Sequence, residues 1–254
     1  MKYSWKDLTS SYTKKKRQMS SLWARIFSRP VSFVITYVLI NLGMQANTVS
    51  VLSILCALTS CVFISIDSGV LRIIGVALFA LWHVLDCVDG NIARVKKESS
   101  VRGEYIDAIS GYSASSFVYF AIGMAAFHTS QLFHDAYLWI VIGAVASMAE
   151  VFSRLVHNRY TVAMYREQYE MNGTLPDVKQ DDPSGKRGIM FIGSRIRKAL
   201  GFSSLFIPFL ILSLIFNCFD YLVLFYALYN LCWMLLVLTV YTYKATKPVS
   251  EENS

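Results

Sequence analysis

Long apolar runs alternate with short polar breaks along most of the chain. The runs cover residues 47–66, 70–94, 104–127, 135–157, 201–217 and 220–242, each near the roughly 20 residues that a helix needs to cross a bilayer. Backbone in lipid must satisfy its own N–H and C=O groups, so these runs predict helices rather than open strands. An earlier stretch, Pro30 followed by VSFVITYVLINLG, is apolar but too short to span and predicts a helix lying at the interface. The pattern as a whole predicts an all-α polytopic membrane bundle of six transmembrane helices preceded by an N-terminal interfacial helix. The expected divisions are a basic segment at 1–29, the interfacial helix at 30–45, a membrane domain at 46–243 with a polar loop at 158–200, and a tail at 244–254.

Composition supports this pattern. Hydrophobic residues make up 55% of the chain and the mean hydropathy is +0.44, which argues for a membrane protein. The net charge of +7 comes from basic residues that flank apolar runs instead of lining one soluble face. It therefore points to topology and to anionic lipid, with no nucleic-acid partner. With the N-terminus in the cytoplasm, six spans return the C-terminus to the same side and the three outer connections carry no Lys or Arg. Arg72 is the exception, near enough to its helix end to snorkel outward. The cluster Lys14, Lys15, Lys16 and Arg17, with Trp23, Arg25 and Arg29 after it, reads either as a solvated tail or as a lipid-surface anchor. The first thirty residues lack an apolar signal-peptide core, so no cleaved leader is expected. Five cysteines, Cys56, Cys61, Cys87, Cys218 and Cys232, sit mostly inside apolar runs and read as core packing.

The chemistry concentrates between Asp86 and Gly111, where one apolar run ends and the next begins. On a helix, Asp86, Asp89, Gly90 and Ala93 fall at i, i+3, i+4 and i+7 and share a face. Arg94 closes that face with a fixed positive charge. Gly103 and Asp107 are four apart on the following segment, and antiparallel packing would carry a third carboxylate toward the first two. An oxygen-only cluster suits a hard divalent cation, which binds through one or two carboxylates and a substrate's phosphates. Phosphate transfer is the implied chemistry.

These residues resemble the CDP-alcohol phosphotransferases, whose motif reads Asp, two residues, Asp-Gly, two residues, Ala-Arg, eight residues, Gly, three residues, Asp, three residues, Asp. The sequence carries Asp86, Asp89, Gly90, Ala93, Arg94, Gly103 and Asp107 at those spacings, and Gly111 where the last aspartate would stand. The resemblance implies an integral membrane, metal-dependent transferase that moves a phosphoalcohol group from a CDP-alcohol donor to an acceptor hydroxyl and releases CMP. The setting it implies is phospholipid or envelope glycolipid synthesis. It assigns Asp86, Asp89 and Asp107 to a divalent metal, magnesium or manganese, with Asp107 also catalytic, and Gly90, Ala93, Arg94 and Gly103 to the nucleotide. The stretch Ala46-Asn47-Thr48-Val49-Ser50 is similar to the family's Pro-Asn, two residues, Thr, with Ala46 for the proline and Ser50 for the threonine, and Asn47 reads either as a nucleotide contact or as a helix N-cap. The position of Gly111 is that of the family's general base, which leaves the base unassigned, with Glu104, His83 and Glu150 as candidates. Glu104, one turn before Asp107, is preferred, and a surface glutamate favoured by the helix dipole is the alternative. A lipid or polyol acceptor, membrane lipid and a second copy of the chain are the implied partners. The implied location is a bacterial inner membrane, with both termini and the active site cytoplasmic.

Arg154, Arg195 and Arg197 are candidates to hold an acceptor's phosphate, although positive-inside anchoring explains the same charges. Glu150 stands one turn before Arg154 and predicts an i,i+4 pair, while His83 reads as a hydrogen-bonded core residue or a base. Pro208 predicts a kink in the fifth span. The aromatics from Phe216 to Tyr243 read as facing lipid or the interface, and Ser110, Gly111, Ala114 and Ser115 as a small-residue surface for close helix packing. A second functional class, a nucleotide-lipid binder without turnover, remains open because of Gly111. A membrane prenyltransferase would lack the Asp-Gly, two residues, Ala-Arg signature, and a transporter would place its charges nearer mid-membrane.

Overall fold

In the computed structural model every regular element among the described residues is helical, and the structure describes residues 3–12, 23–98, 100–130, 132, 136–173 and 189–246. The Lys14–Arg17 cluster and the middle of the polar loop lie outside the described residues. The chain opens with a short helix that its basic surroundings conceal, α1 (Trp5–Ser10). Ser4 and Asp7 form a reciprocal capping box there, and the backbone N–H and hydroxyl of Ser4 hold the Asp7 carboxyl below the usual carboxylate range. Leu8 is buried, and Trp5 packs on Phe33 and Tyr37 at 6.4 and 5.8 Å between ring centres.

Those two rings belong to α2 (Arg29–Asn41), which follows a five-residue π-turn at Ala24–Ser28. Its inner face is polar, with Ser32 and Thr36 buried, while Val34, Val38 and Leu42 point outward. The amide of Asn91 donates to both hydroxyls, at 3.3 and 3.2 Å. A helix that satisfies its polar stripe inward and shows its apolar stripe outward suits lipid better than water.

The bundle proper comprises α3 (Ala46–Ser65), α4 (Gly69–Lys96), α5 (Val101–Thr129), α6 (Tyr137–Asn172), α7 (Ile189–Leu200), α8 (Ile207–Phe216) and α9 (Phe219–Ala245). Among the described residues, α3, α4, α6, the stretch Arg195–Phe216 and α9 are long and apolar enough to cross a membrane. The fold is thus a polytopic helical bundle. At 29 residues α5 is also long enough, about 43 Å at 1.5 Å per residue. Serine, glycine and alanine make its middle less apolar than its neighbours, because it packs against α3, α6 and α9. Small residues let these backbones meet. A Cβ on Gly123 would lie 2.6 Å from the carbonyl of Trp139, and one on Gly143 would lie 2.7 Å from that of Tyr119, so α5 and α6 touch backbone to backbone.

Several local expectations change. The fourth helix of the bundle, α6, runs through residues 158–172 that read as loop, and stops where Gly173 adopts φ +65°, the left-handed conformation that ends helices. Part of the same loop forms α7. The break in the fifth span falls just ahead of Pro208: Gly201 is extended, a π-turn covers Phe202–Phe206, and the proline sits in the first turn of α8, where its missing N–H costs no hydrogen bond. Arg72 is buried and bonds Asp67 at 2.8 Å instead of extending free. Of the late aromatics, Phe219 and Tyr226 join the core with Phe79, Tyr119 and Phe206, whereas Tyr221, Phe225 and Tyr243 are exposed. All five cysteines are free thiols.

Candidate active site between the motif helices

An open cleft of about 860 Å³ lies where three helix ends meet. From α4 come Asp89, Gly90, Ala93 and Arg94; from the turn beyond it, Lys97, Glu98 and Ser100; from the start of α5, Gly103, Glu104 and Asp107; from the start of α3, Gln45, Ala46, Asn47 and Ser50. The sharp turn depends on Lys97, which ends α4 in the left-handed region at φ 54°, and on Ser100, whose hydroxyl accepts from the Gly103 N–H at 3.1 Å. Two helix N-termini therefore face the cleft, and no side chain caps the first turn of α3. Free N–H groups and the positive end of the helix dipole favour an anion there. Asn47 is the second residue of α3 and not its N-cap, which is Gln45.

Gly103 permits the close approach of α3 and α5, since a Cβ there would press to 3.3 Å from Asn47 Oδ1 and 3.2 Å from Ser100 Oγ. A Cβ on Gly90 would meet only the guanidinium of Arg94, at 3.1 Å. Arg94 donates to the Asn91 side chain at 2.5 Å, which links the cleft wall to α2. Asp89 is buried: Ser50 Oγ donates to its Oδ2 at 2.6 Å and the Gly90 N–H to its Oδ1 at 2.5 Å. Ser50 was legible only through the resemblance of its segment, and Gln45, Lys97 and Ser100 carried no signal beyond proximity.

Asp86 is one turn deeper and opens into a different space, a chamber of about 300 Å³ lined also by His83, Gly111, Glu150, Arg154 and Arg197. Trp82, beside His83 on α4, also lines it, as do Tyr119, Phe202 and Tyr229, which come from elements too far apart in sequence for spacing to join them. Glu150 Oε1 accepts from Arg154 Nε at 2.7 Å and from Arg197 Nη2 at 2.8 Å, so the i,i+4 pair has a third member from α7. Arg197 also lies over the Trp233 ring at 4.9 Å. Arg195 is exposed and is not among the chamber's lining residues. Glu104 stands on the rim of the outer cleft, exposed, apart from Gly111. His83 is buried, and its Nδ1 has no hydrogen-bond partner. A Cβ on Gly111 would have only Arg154 Nη1 nearby, at 3.9 Å.

Asp86, Asp89 and Asp107 all act on one another electrostatically. Among the described residues, no three acidic, histidine or cysteine side chains converge enough to enclose a metal ion. Asp86 faces the chamber while Asp89 and Asp107 face the cleft, so the carboxylates straddle the wall between two spaces. Their all-oxygen chemistry and mutual repulsion fit a hard divalent cation whose shell a ligand's phosphates complete.

The family model for CDP-alcohol phosphatidyltransferase matches residues 44–241. The chain belongs to this family. The matched span takes in both the cleft and the chamber and leaves out α1 and α2. No curated protein matches the chain. Membership brings the general activity of the family, transfer of a phosphoalcohol from a CDP-alcohol within lipid synthesis, and with it a CDP-alcohol donor and an alcohol acceptor in a membrane.

Proposed function

We propose that this chain transfers the phosphoalcohol group of a CDP-alcohol to the hydroxyl of a lipid or polyol acceptor, releasing CMP on the cytoplasmic side of the membrane. The observation that carries this reading is the cleft itself, where Asp89 and Asp107 face two helix N-termini beside a wall of Gly90, Ala93 and Gly103. In this reading the diphosphate lies against the N–H groups at the starts of α3 and α5, with Arg94 adding a fixed charge. The cytidine rests on the thin wall near Asn47. Asp86, Asp89 and Asp107 hold a divalent cation, magnesium or manganese, with Ser50 and the Gly90 N–H fixing the Asp89 carboxylate. When bound, that cation supplies Lewis-acid stabilisation of the transferring phosphoryl group.

The acceptor occupies the deeper chamber, its hydroxyl near Asp86 and an anionic group on Arg154 and Arg197. One glutamate between two guanidiniums leaves this wall with a net positive charge, and Arg195 has no part in it. The test is CMP release by purified protein incubated with magnesium, a panel of CDP-alcohols and membrane lipids. Release with one donor is expected. Tight binding of a donor with no CMP from any combination would replace the enzyme by a nucleotide-lipid binder, the reading that Gly111 favours.

A further inference from the structure

We propose that His83 is the group that takes the proton from the acceptor hydroxyl, a role for which its sequence position made it one of three candidates and which the family match does not assign. This rests on the transfer reading above. Attack on a phosphoryl group by an alcohol requires that the hydroxyl lose its proton as the new bond forms, and position 111 offers no side chain to accept it. Among the groups in the same chamber, Glu150 already has one oxygen engaged by both Arg154 and Arg197 at 2.7 and 2.8 Å. In the transfer reading Asp86 holds the cation, and Glu104 lines the other cleft. Tyr119 and Tyr229 are phenols, poor proton acceptors at neutral pH.

His83 lines the chamber beside Asp86 and Gly111. It is only 4% exposed, yet its Nδ1 meets no donor or acceptor. A buried polar atom without a partner is uncommon and calls for a use. With no hydrogen bond at Nδ1 to fix the tautomer, the neutral ring carries its proton on one nitrogen and presents the other as an acceptor. The step balances as follows: the acceptor oxygen bonds to the phosphorus that bears the alcohol, the bond from that phosphorus to the bridging oxygen breaks with its electron pair leaving on CMP, and the hydroxyl proton passes to the imidazole.

Gly111 provides the decisive control. Its empty surroundings admit a side chain, so Gly111→Asp would put a carboxylate into the same chamber. CMP release is measured for wild type, His83→Gln, Gly111→Asp and the double variant, and donor affinity by calorimetry on each. Expected is a loss of about 100-fold or more in kcat for His83→Gln, in line with what a positioned base contributes, with donor affinity unchanged and most of the rate restored in the double variant. Overturning results are His83→Gln with kcat within about threefold of wild type, loss of donor binding together with rate, or no restoration by Gly111→Asp while the single Gly111→Asp protein is active. Absence of CMP release from wild type itself would strike the transfer reading instead, so that measurement comes first.

Discussion

Ser50 on α3 donates a 2.6 Å hydrogen bond to Asp89 on α4, and the Gly90 N–H donates to the other oxygen of the same carboxylate. Asp89 is thereby held in one rotamer at the wall between the cleft and the chamber. Hydrogen bonds to charged groups are worth about 1.5–3 kcal/mol. Ser50→Ala should therefore weaken donor binding by about tenfold or more, as 1.4 kcal/mol corresponds to a factor of ten, while Ser50→Thr keeps the hydroxyl and most of the affinity. Calorimetric titration with a CDP-alcohol analogue in the presence of magnesium reads this directly.

The carboxylates themselves give a harsher result. Removing one of three mutually repelling charges changes the balance between cation and diphosphate, so Asp89→Asn and Asp107→Asn should each lose metal and donor affinity together. Chelation of divalent ions should end CMP release from wild type, and added magnesium should restore it. Variants that bind metal and donor as wild type does would remove these residues from the site.

The two arginines of α7 separate a chamber residue from a surface one. Arg197 bonds Glu150 at 2.8 Å and lies 4.9 Å over Trp233, whereas Arg195 is exposed. Arg197→Ala should raise the acceptor KM by about tenfold, the worth of one charge-assisted hydrogen bond of about 1.4 kcal/mol. Arg195→Ala should leave it nearly unchanged, since Arg195 is exposed and is not among the residues that line the chamber. Steady-state kinetics with acceptor varied at saturating donor distinguishes the two.

Sequence periodicity made much of this legible, because helical contacts repeat every three or four residues. Asp86, Asp89, Gly90, Ala93 and Arg94 could be placed on one helix, and Glu150 paired with Arg154, without coordinates. Local signals were also present but masked: Ser4 and Asp7 form a readable capping box, yet the basic residues after them made the whole segment resemble a tail. The extension of α6 to Asn172 was hidden because it is polar, and an apolar run marks only the part of a helix that needs lipid or core. What spacing could not give was any relation between distant segments. The partition of Asp86 from Asp89 into separate spaces, the third member Arg197 beside Glu150, and the unpartnered Nδ1 of His83 all depend on how α4, α5, α6 and α7 pack.

That packing has a tight point outside the cleft's lining, at Gly123 and Gly143. Either glycine changed to alanine would set a Cβ within 3 Å of backbone on the opposite helix, and backbone cannot give way as a side-chain tip can. Overpacking of this kind costs about 1–3 kcal/mol. Gly123→Ala and Gly143→Ala should both lower the melting temperature in detergent, whereas Gly111→Ala, with only Arg154 Nη1 at 3.9 Å, should not.

Orientation in the membrane follows from charge. Lys and Arg are retained on the cytoplasmic side of short connections, and the turn Lys96–Arg102 between α4 and α5 is basic, while the connection from Ser130 to Ala136 between α5 and α6 carries neither Lys nor Arg. The cleft opens beside the basic turn, so a cytoplasmic cleft and an outer position for Leu132 are the same statement. Leu132 and Tyr169 are both exposed, and Tyr169 lies on the far end of α6, beyond the stretch that lipid would cover. A single cysteine at each position, in a background without the five native thiols, provides the measurement. With a thiol reagent that does not cross membranes, Leu132→Cys should label in intact cells and Tyr169→Cys only after lysis. The opposite pattern would face the aspartates away from cytosolic nucleotide, and no CDP-alcohol made in the cytoplasm could then reach them.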